Sequence, residues 1–303
     1  MSKFFKVGLA LGGGGARGLA HLGVLKVLEE EGIFFDLMAG TSFGAIIGAM
    51  YAQNPRVKDL HQRVSAFLYS PQFKRTKIFF IKKHYEEEKR VGFIWNLKAY
   101  LQRGIFFGIS LQKSSFISER DFLENINGLF DDQNIEDTAI PFMVVSTDLI
   151  QGREIVLDKG PLRRAVAASC AIPGVFPPIN IGEYKLVDGG WVNQVPVNPL
   201  IGGGADFIIA VDTSEDEVAV RSFGNGLDIV LRAGDITRKA LSDLQLKQAD
   251  VILRPKIGNI HWSDFWKMED ALKEGEAAAR EKVEEIRRAI RKKRMRKLLL
   301  MNS

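Results

Sequence analysis

Gly40-Thr41-Ser42-Phe43-Gly44 decides how this chain is read, because it has the G-x-S-x-G form of a nucleophile elbow and joins two segments of different character. Residues 33–39 ahead of it are an apolar run of strand length; residues 45–51 behind it read as helix. A serine at a strand-to-helix turn is held in a strained backbone, with glycines two residues to either side where a Cβ would clash as the chain doubles back. Its hydroxyl is thereby pushed out to face a substrate. Upstream, residues 4–11 read as a first strand running into Gly12-Gly13-Gly14-Gly15-Ala16-Arg17-Gly18. Residues 19–31 follow as a helix with Leu22, Leu25 and Leu28 on one stripe, closed by Gly32. Strand, glycine loop, helix, strand, elbow, helix is a parallel α/β beginning.

Residues 55–120 break this rhythm. Residues 57–70 read as helix, 73–83 mix Lys and Arg with Phe and Ile, and 92–109 are rich in Phe, Trp and Leu. The segment is expected to be a helical cap inserted into the domain. An aromatic and basic surface suits a lipid-facing lid; a helical subdomain with its aromatics packed inward fits the composition equally well. The α/β pattern resumes with strands at 142–146 and 153–157, then a helix at 161–169 whose Pro161 suits a first turn. A Pro-rich loop covers 171–178, and a short strand, 184–187, runs into Asp188-Gly189-Gly190. Strand 207–211, helix 227–248, strand 251–253 and a long helix or helix pair over 263–299 complete the chain. The expectation is one α/β domain over 1–303 with a mainly parallel sheet, the 55–120 insertion, and a C-terminal helical extension, 263–303, ending in a basic tail.

A hydrophobic content of 46% over 303 residues is ample for a buried core. The net charge of +5 is local: residues 287–297 hold eight Lys or Arg and no acid, and the rest of the chain has 34 cations against 37 acids. Such a stretch followed by Leu298-Leu299-Leu300-Met301 reads as a peripheral contact with anionic membrane, with a helix end whose cations suit its dipole as the rival reading, and not as a nucleic-acid footprint. A single cysteine, Cys170, excludes an internal disulfide and a cysteine-based zinc cage and fits a reducing, cytoplasmic setting. Gly12 to Gly15 interrupts the N-terminal apolar segment before it reaches signal-peptide length, and no run approaches the ~18 apolar residues of a spanning helix. Asp206, Asp212, Glu215, Asp216 and Glu217 lack the spacing of a calcium loop and read as solvated strand ends, so no metal is expected.

Gly13-x-Gly15-x-x-Gly18 also fits a dinucleotide fingerprint, with Asp36 18 residues further on. Asp36, however, precedes Leu37-Met38-Ala39 and belongs at the start of the second strand, whose carboxyl tip carries Ser42. The glycine loop and the elbow both follow strands at carboxyl ends, where open α/β sheets build their sites. Backbone N–H groups of Gly13, Gly14 and Gly15 can therefore serve a developing oxyanion beside the serine. A serine needs a base, yet only His21, His61, His84 and His261 exist; His261 alone comes late enough for the acid-then-histidine order, and its neighbours resemble an ordinary helix entry, while His21 reads as helix packing. Asp188-Gly189-Gly190 is the alternative, an acid at a strand end with glycines that allow a sharp turn; taken in isolation the motif reads first as a plain turn. Arg17 reads as tying down loop carbonyls, with a phosphate head group as the rival partner. Asp148 reads as a turn cap.

The segments Gly13 to Gly18, Gly40 to Gly44 and Asp188 to Gly190, in that order, resemble the patatin-like phospholipase family, and Ala167-Ala168-Ser169-Cys170-Ala171-Ile172-Pro173-Gly174-Val175-Phe176-Pro177-Pro178 is similar to the family's segment ahead of its aspartate. The resemblance implies a three-layer α/β/α fold and a Ser42/Asp188 dyad without histidine. It further implies an oxyanion hole at Gly13, Gly14 and Gly15, with Arg17, Gly18, Gly40, Gly44, Gly189 and Gly190 as supporting residues. The activity implied is calcium-independent, cofactor-free hydrolysis of acyl esters in phospholipids or lysophospholipids. A scaffold on the same fold, acting through the cap or the tail, is the alternative.

Overall fold

The computed structural model describes residues 5–74, 115, 117–214 and 226–301. Its strands are β1 (Val7–Leu11), β2 (Leu37–Thr41), β3 (Phe142–Asp148), β4 (Arg153–Leu157), β5 (Ile179–Ile181), β6 (Tyr184–Asp188), β7 (Phe207–Val211) and β8 (Val251–Leu253). They form one sheet in the order β5-β6-β3-β2-β1-β7-β8, with β4 paired to β3 off that path. Strands β1, β2, β3, β7 and β8 are parallel. Strands β4 and β6 run antiparallel to β3, and β5 antiparallel to β6. The uninterrupted apolar runs of β1 and β7 are what strands covered on both faces require.

The helices are α1 (Ala20–Glu30), α2 (Phe43–Gln53), α3 (Val57–Tyr69), α4 (Pro71–Lys74), α5 (Glu119–Asn127), α6 (Leu162–Ser169), α7 (Val197–Gly202), α8 (Gly226–Leu246) and α9 (Met268–Met301). Alternate residues of β1 divide between two cores. Leu9 and Leu11 join the larger one, with residues of α1, α2 and α9, and Ala10 joins a smaller one with Val197 and Leu200 of α7. Helices on both faces of one mainly parallel sheet make a three-layer α/β/α sandwich.

Strand β2 begins four residues later than the apolar run 33–39 suggests. Gly32, at φ 66, ends α1, and Ile33 and Phe35 are buried in the connection, so their hydrophobicity marks burial and not extension. Asp36 donates its N–H to the Val7 carbonyl (2.8 Å) and accepts the Val7 N–H (2.9 Å), which fixes it at the amino edge of the sheet, opposite the glycine loop.

The C-terminal region is no appendage. Helix α9 buries Leu272, Gly275, Ala279, Val283 and Ile286. A Cβ on Gly275 would come within 2.0 Å of the Ala20 carbonyl oxygen, so α1 and α9 meet backbone to backbone. Three cations of 287–297 pair with acids of the body: Arg287 with Glu31 (2.5 Å), Lys293 with Asp250 (2.6 Å) and Lys297 with Asp206 (2.6 Å). Asp206 and Asp250 immediately precede β7 and β8, so the basic tail lies across the amino edge of the sheet. Asp206 is thus ion-paired, and Asp212 is buried with Ser214 and Arg254 as partners; neither is a solvated strand end. Glu215, Asp216 and Glu217 lie outside the described residues, as do 75–114 and 116 of the expected cap. Among the described residues no helix is long and apolar enough to cross a membrane.

Candidate active site

Ser42 is the residue that caps α2, at φ 53 and ψ −124, and among the described residues it is the one non-glycine with a positive φ. Such a backbone costs on the order of 1–3 kcal/mol and persists only where its surroundings enforce it. One enforcing contact is Gly44, where a Cβ would lie 2.2 Å from the Leu11 carbonyl oxygen, so α2 starts pressed against the end of β1. Gly40 similarly lies under Ala45, and Gly18 under the Phe43 ring.

Asp188 arrives at Ser42 from the opposite direction. Strand β3 outruns β2: Phe142 to Val145 pair with Met38 to Thr41, and the remaining Ser146 to Asp148 pair with Asp188 to Leu186. Strand β4 covers the other edge of β3 along both stretches, so β2 and β6 share one edge, tip to tip. Thr41 is opposite Val145 and Asp188 is opposite Ser146. Because β6 is antiparallel, its carboxyl end meets that of β2. The Ser42 hydroxyl donates to Asp188 Oδ2 at 2.6 Å, and the Gly190 N–H donates to Oδ1 at 2.8 Å. Gly189 passes so close to β3 that a Cβ would lie 2.3 Å from the Val145 carbonyl oxygen. Burial pushes the Asp188 carboxyl up to about 6, against the opposing pull of the Ser42 and Gly190 hydrogen bonds and the charge of Arg238 on α8.

The glycine loop is held from several sides. Gly13 donates its N–H to the Gln194 carbonyl (3.0 Å), and the Gln194 side chain donates back to the Gly13 carbonyl (2.8 Å). Gly13 is thereby removed from the expected oxyanion donors: its N–H is engaged, and a Cβ there would press on that of Ser42 at 3.2 Å. The N–H groups of Gly14 and Gly15 have no acceptor among the described residues. Gly15, at φ 58, would place a Cβ 2.4 Å from the Trp262 carbonyl oxygen, which instead accepts the Ala16 N–H at 2.7 Å. Arg17 is buried in the 3-10 turn Gly15–Leu19. His21 is fully buried with Nε2 2.8 Å from the Gly12 carbonyl oxygen, and burial lowers it to about 4. It is a neutral donor under the loop and not a base.

The other described histidines are also engaged away from Ser42. His61 faces Glu269 (3.3 Å) and His261 meets Ser263 (2.8 Å); His84 is outside the described residues. Asp148 accepts N–H groups of Ile150, Gln151 and Lys185, the turn-capping role its position suggests. No group of three or more His, Cys, Asp or Glu among the described residues could hold a metal.

Ser42 and Gly15 form part of the wall of a cavity of about 720 Å³, otherwise lined mainly by apolar side chains such as Ile46 of α2, Val64 and Leu68 of α3, and Ile126 of α5. Two contacts at the elbow had no sequence signal of their own. Gln194 carries nothing that marks it as a clasp on Gly13. Ser169 lies within the segment quoted for its family resemblance, yet its contact with Ser42 spans 127 residues.

The family model for patatin-like phospholipases matches residues 9–201, and the chain belongs to this family. Lysophospholipase NTE1 of Kluyveromyces lactis is 30% identical over 296 residues, which is 89% of this chain and 19% of that protein. Lysophospholipase nte1 of Aspergillus fumigatus is 33% identical over 222 residues, 73% of this chain and 13% of that one. The chain thus spans about a fifth or less of the length of these curated relatives. Among solved structures, VipD from Legionella pneumophila aligns over 93% of this chain and 67% of its own, with 14% identity and a TM-score of 0.49.

Proposed function

We propose that this chain is a serine acyl hydrolase that cleaves carboxylic esters of phospholipids or lysophospholipids. The observation that carries the reading is the 2.6 Å contact of Ser42 Oγ with a buried Asp188, in the wall of an apolar cavity. A carboxylate near its ordinary value is a weak base for an alcohol; one raised to about 6 is better matched to neutral pH. Ser42 Oγ attacks the acyl carbonyl carbon while its proton passes to Asp188 Oδ2. The negative charge on the carbonyl oxygen is met by N–H groups of Gly14 and Gly15 and by the positive end of α2. Collapse expels the alcohol, which takes the proton from Asp188, and leaves an acyl-serine. Water then repeats the sequence, donating its proton to Asp188, and the fatty acid leaves as Ser42 is restored.

The cavity suits the acyl chain, since about 720 Å³ of apolar space holds a long hydrocarbon tail. Substrate would enter from the carboxyl edge of the sheet. Membrane contact through 287–297 would hold the opposite edge to the lipid, and the ion pairs of Arg287, Lys293 and Lys297 support an intramolecular use of those cations.

Ser42→Ala should abolish both ester hydrolysis and labelling by a fluorophosphonate probe, and Asp188→Asn should reduce both by at least about a thousandfold. Substantial turnover in Ser42→Ala would overturn the assignment. Chelation with EDTA should leave the rate unchanged.

A further inference from the structure

The Ser169 hydroxyl links the elbow to β3. It is fully buried at the carboxyl end of α6, accepts the Ser42 N–H at 2.8 Å, and donates its own proton to the Val145 carbonyl at 2.6 Å. Val145 is the residue of β3 opposite Thr41, the last position before β6 replaces β2 along that edge. Two residues beyond Ser169, the Ala171 carbonyl accepts the Asp188 N–H at 3.0 Å. One short piece of chain therefore grips the backbone of both Ser42 and Asp188 and refers both to β3.

This matters because Ser42 is not at rest. Its positive φ is the one carried by a non-glycine among the described residues, and the Ser42 N–H is a point at which the surroundings hold it. Without that hydroxyl the part-buried Ser42 N–H would lose its acceptor and the Val145 carbonyl its hydroxyl donor. Only a side chain that accepts and donates at once can bridge the two, and a serine hydroxyl does both in the smallest volume.

We propose that Ser169 is a positioning residue for the nucleophile: its hydroxyl fixes the Ser42 backbone so that Oγ reaches Asp188. The inference rests on the acyl hydrolase reading and deepens it. Ser169 does not touch substrate or the reacting atoms; it acts through the Ser42 N–H.

The test compares wild type, Ser169→Ala, Ser169→Cys and Ser42→Ala on a soluble p-nitrophenyl ester, with melting curves recorded for each. Ser169→Ala should keep the fold and lower kcat by at least about tenfold, with KM within about twofold, and should slow fluorophosphonate labelling in parallel. Ser169→Cys, which retains a weak donor and acceptor, should fall between the two, and it carries the test if Ser169→Ala does not fold. A folded Ser169→Ala with wild-type kcat, or a loss confined to KM, overturns the proposal, as does a Ser169→Cys enzyme indistinguishable from wild type when the alanine variant is unfolded. Activity surviving in Ser42→Ala would instead defeat the parent reading, so the two failures are told apart.

Discussion

Keeping Asp188 charged inside the protein works against folding. Its carboxyl is raised from 3.8 to about 6, so above pH 6 the native state carries an ionised group that the unfolded chain would hold more easily in water. The penalty is about 3 kcal/mol, from about two units at ~1.4 kcal/mol each. Asp188→Asn removes it, and should melt a few degrees higher than wild type at pH 8 while losing activity. The sign follows from linkage: the group is protonated in both states below 3.8, so the advantage of asparagine should fade toward pH 4. A variant that melts lower at pH 8 would show that the hydrogen bonds from Ser42 and Gly190 outweigh the burial. Ser42 was legible in the sequence because it stands in a short motif with a local reason for its glycines, whereas Asp188-Gly189-Gly190 alone reads as a plain turn and stands out only through the resemblance that the motifs carry together. Ser169 was not legible in the same way, because a hydroxyl bridging a strained N–H and a strand carbonyl leaves no mark near itself. Gly13 shows the converse: a motif position can be read as a donor, yet only the tertiary partner, Gln194, reveals that its N–H is already engaged.

The elements around the site divide by the same logic. Helix α3 buries Val57, Leu60, Val64 and Leu68, the spacing of one helical face, and this much the sequence displays. What it does not display is that Val64 and Leu68, though buried in the core, also line the cavity. Val64→Phe should fill part of that space and shift acyl preference. On a series of p-nitrophenyl esters, kcat/KM for a C16 chain should fall by about tenfold relative to C4, since each displaced methylene contributes a factor of several to discrimination. An unchanged chain-length profile in a folded variant would place the acyl group elsewhere. The start of β2 lies beyond that of the apolar run for a related reason, because hydrophobic runs record burial and Ile33 and Phe35 are buried in a loop. The direction of β6 was equally hidden: nothing in Tyr184 to Asp188 says whether it runs with or against β3. The extra length of β3 beyond β2 gives β6 its place on that edge, and the antiparallel pairing brings the two carboxyl ends together.

Across the whole molecule, acidification acts through two buried groups with opposite signs. His21 is held at about 4 against an ordinary 6.5, so as pH falls between these values the unfolded chain takes up a proton that the native state refuses, and stability drops. Asp188, raised to about 6 from 3.8, takes up its proton in the native state first, so stability rises over much of the same window. Between pH 7 and 5 each contributes roughly 1–2 kcal/mol and the two largely offset each other. Burial also raises Glu154, on the Asp188 side of the balance. Asp131, held low by Arg63, and Asp206, held low against its burial by Lys297 and the Lys6 N–H, destabilise on protonation only nearer their ordinary value of 3.8. Wild type should therefore melt at nearly the same temperature at pH 7 and pH 5. Asp188→Asn, with the His21 arm opposed only by Glu154, should lose a few degrees more over that interval. Activity has no such compensation, since Asp188 must be ionised to accept the serine proton, and its acid limb should lie near pH 6. Enzyme held at pH 5 is then folded but protonated at its base, so a jump back to pH 7.5 should restore full turnover at once. A slow or partial return, measured by stopped-flow ester hydrolysis, would instead show that the acid loss is unfolding and that the two buried groups do not offset each other.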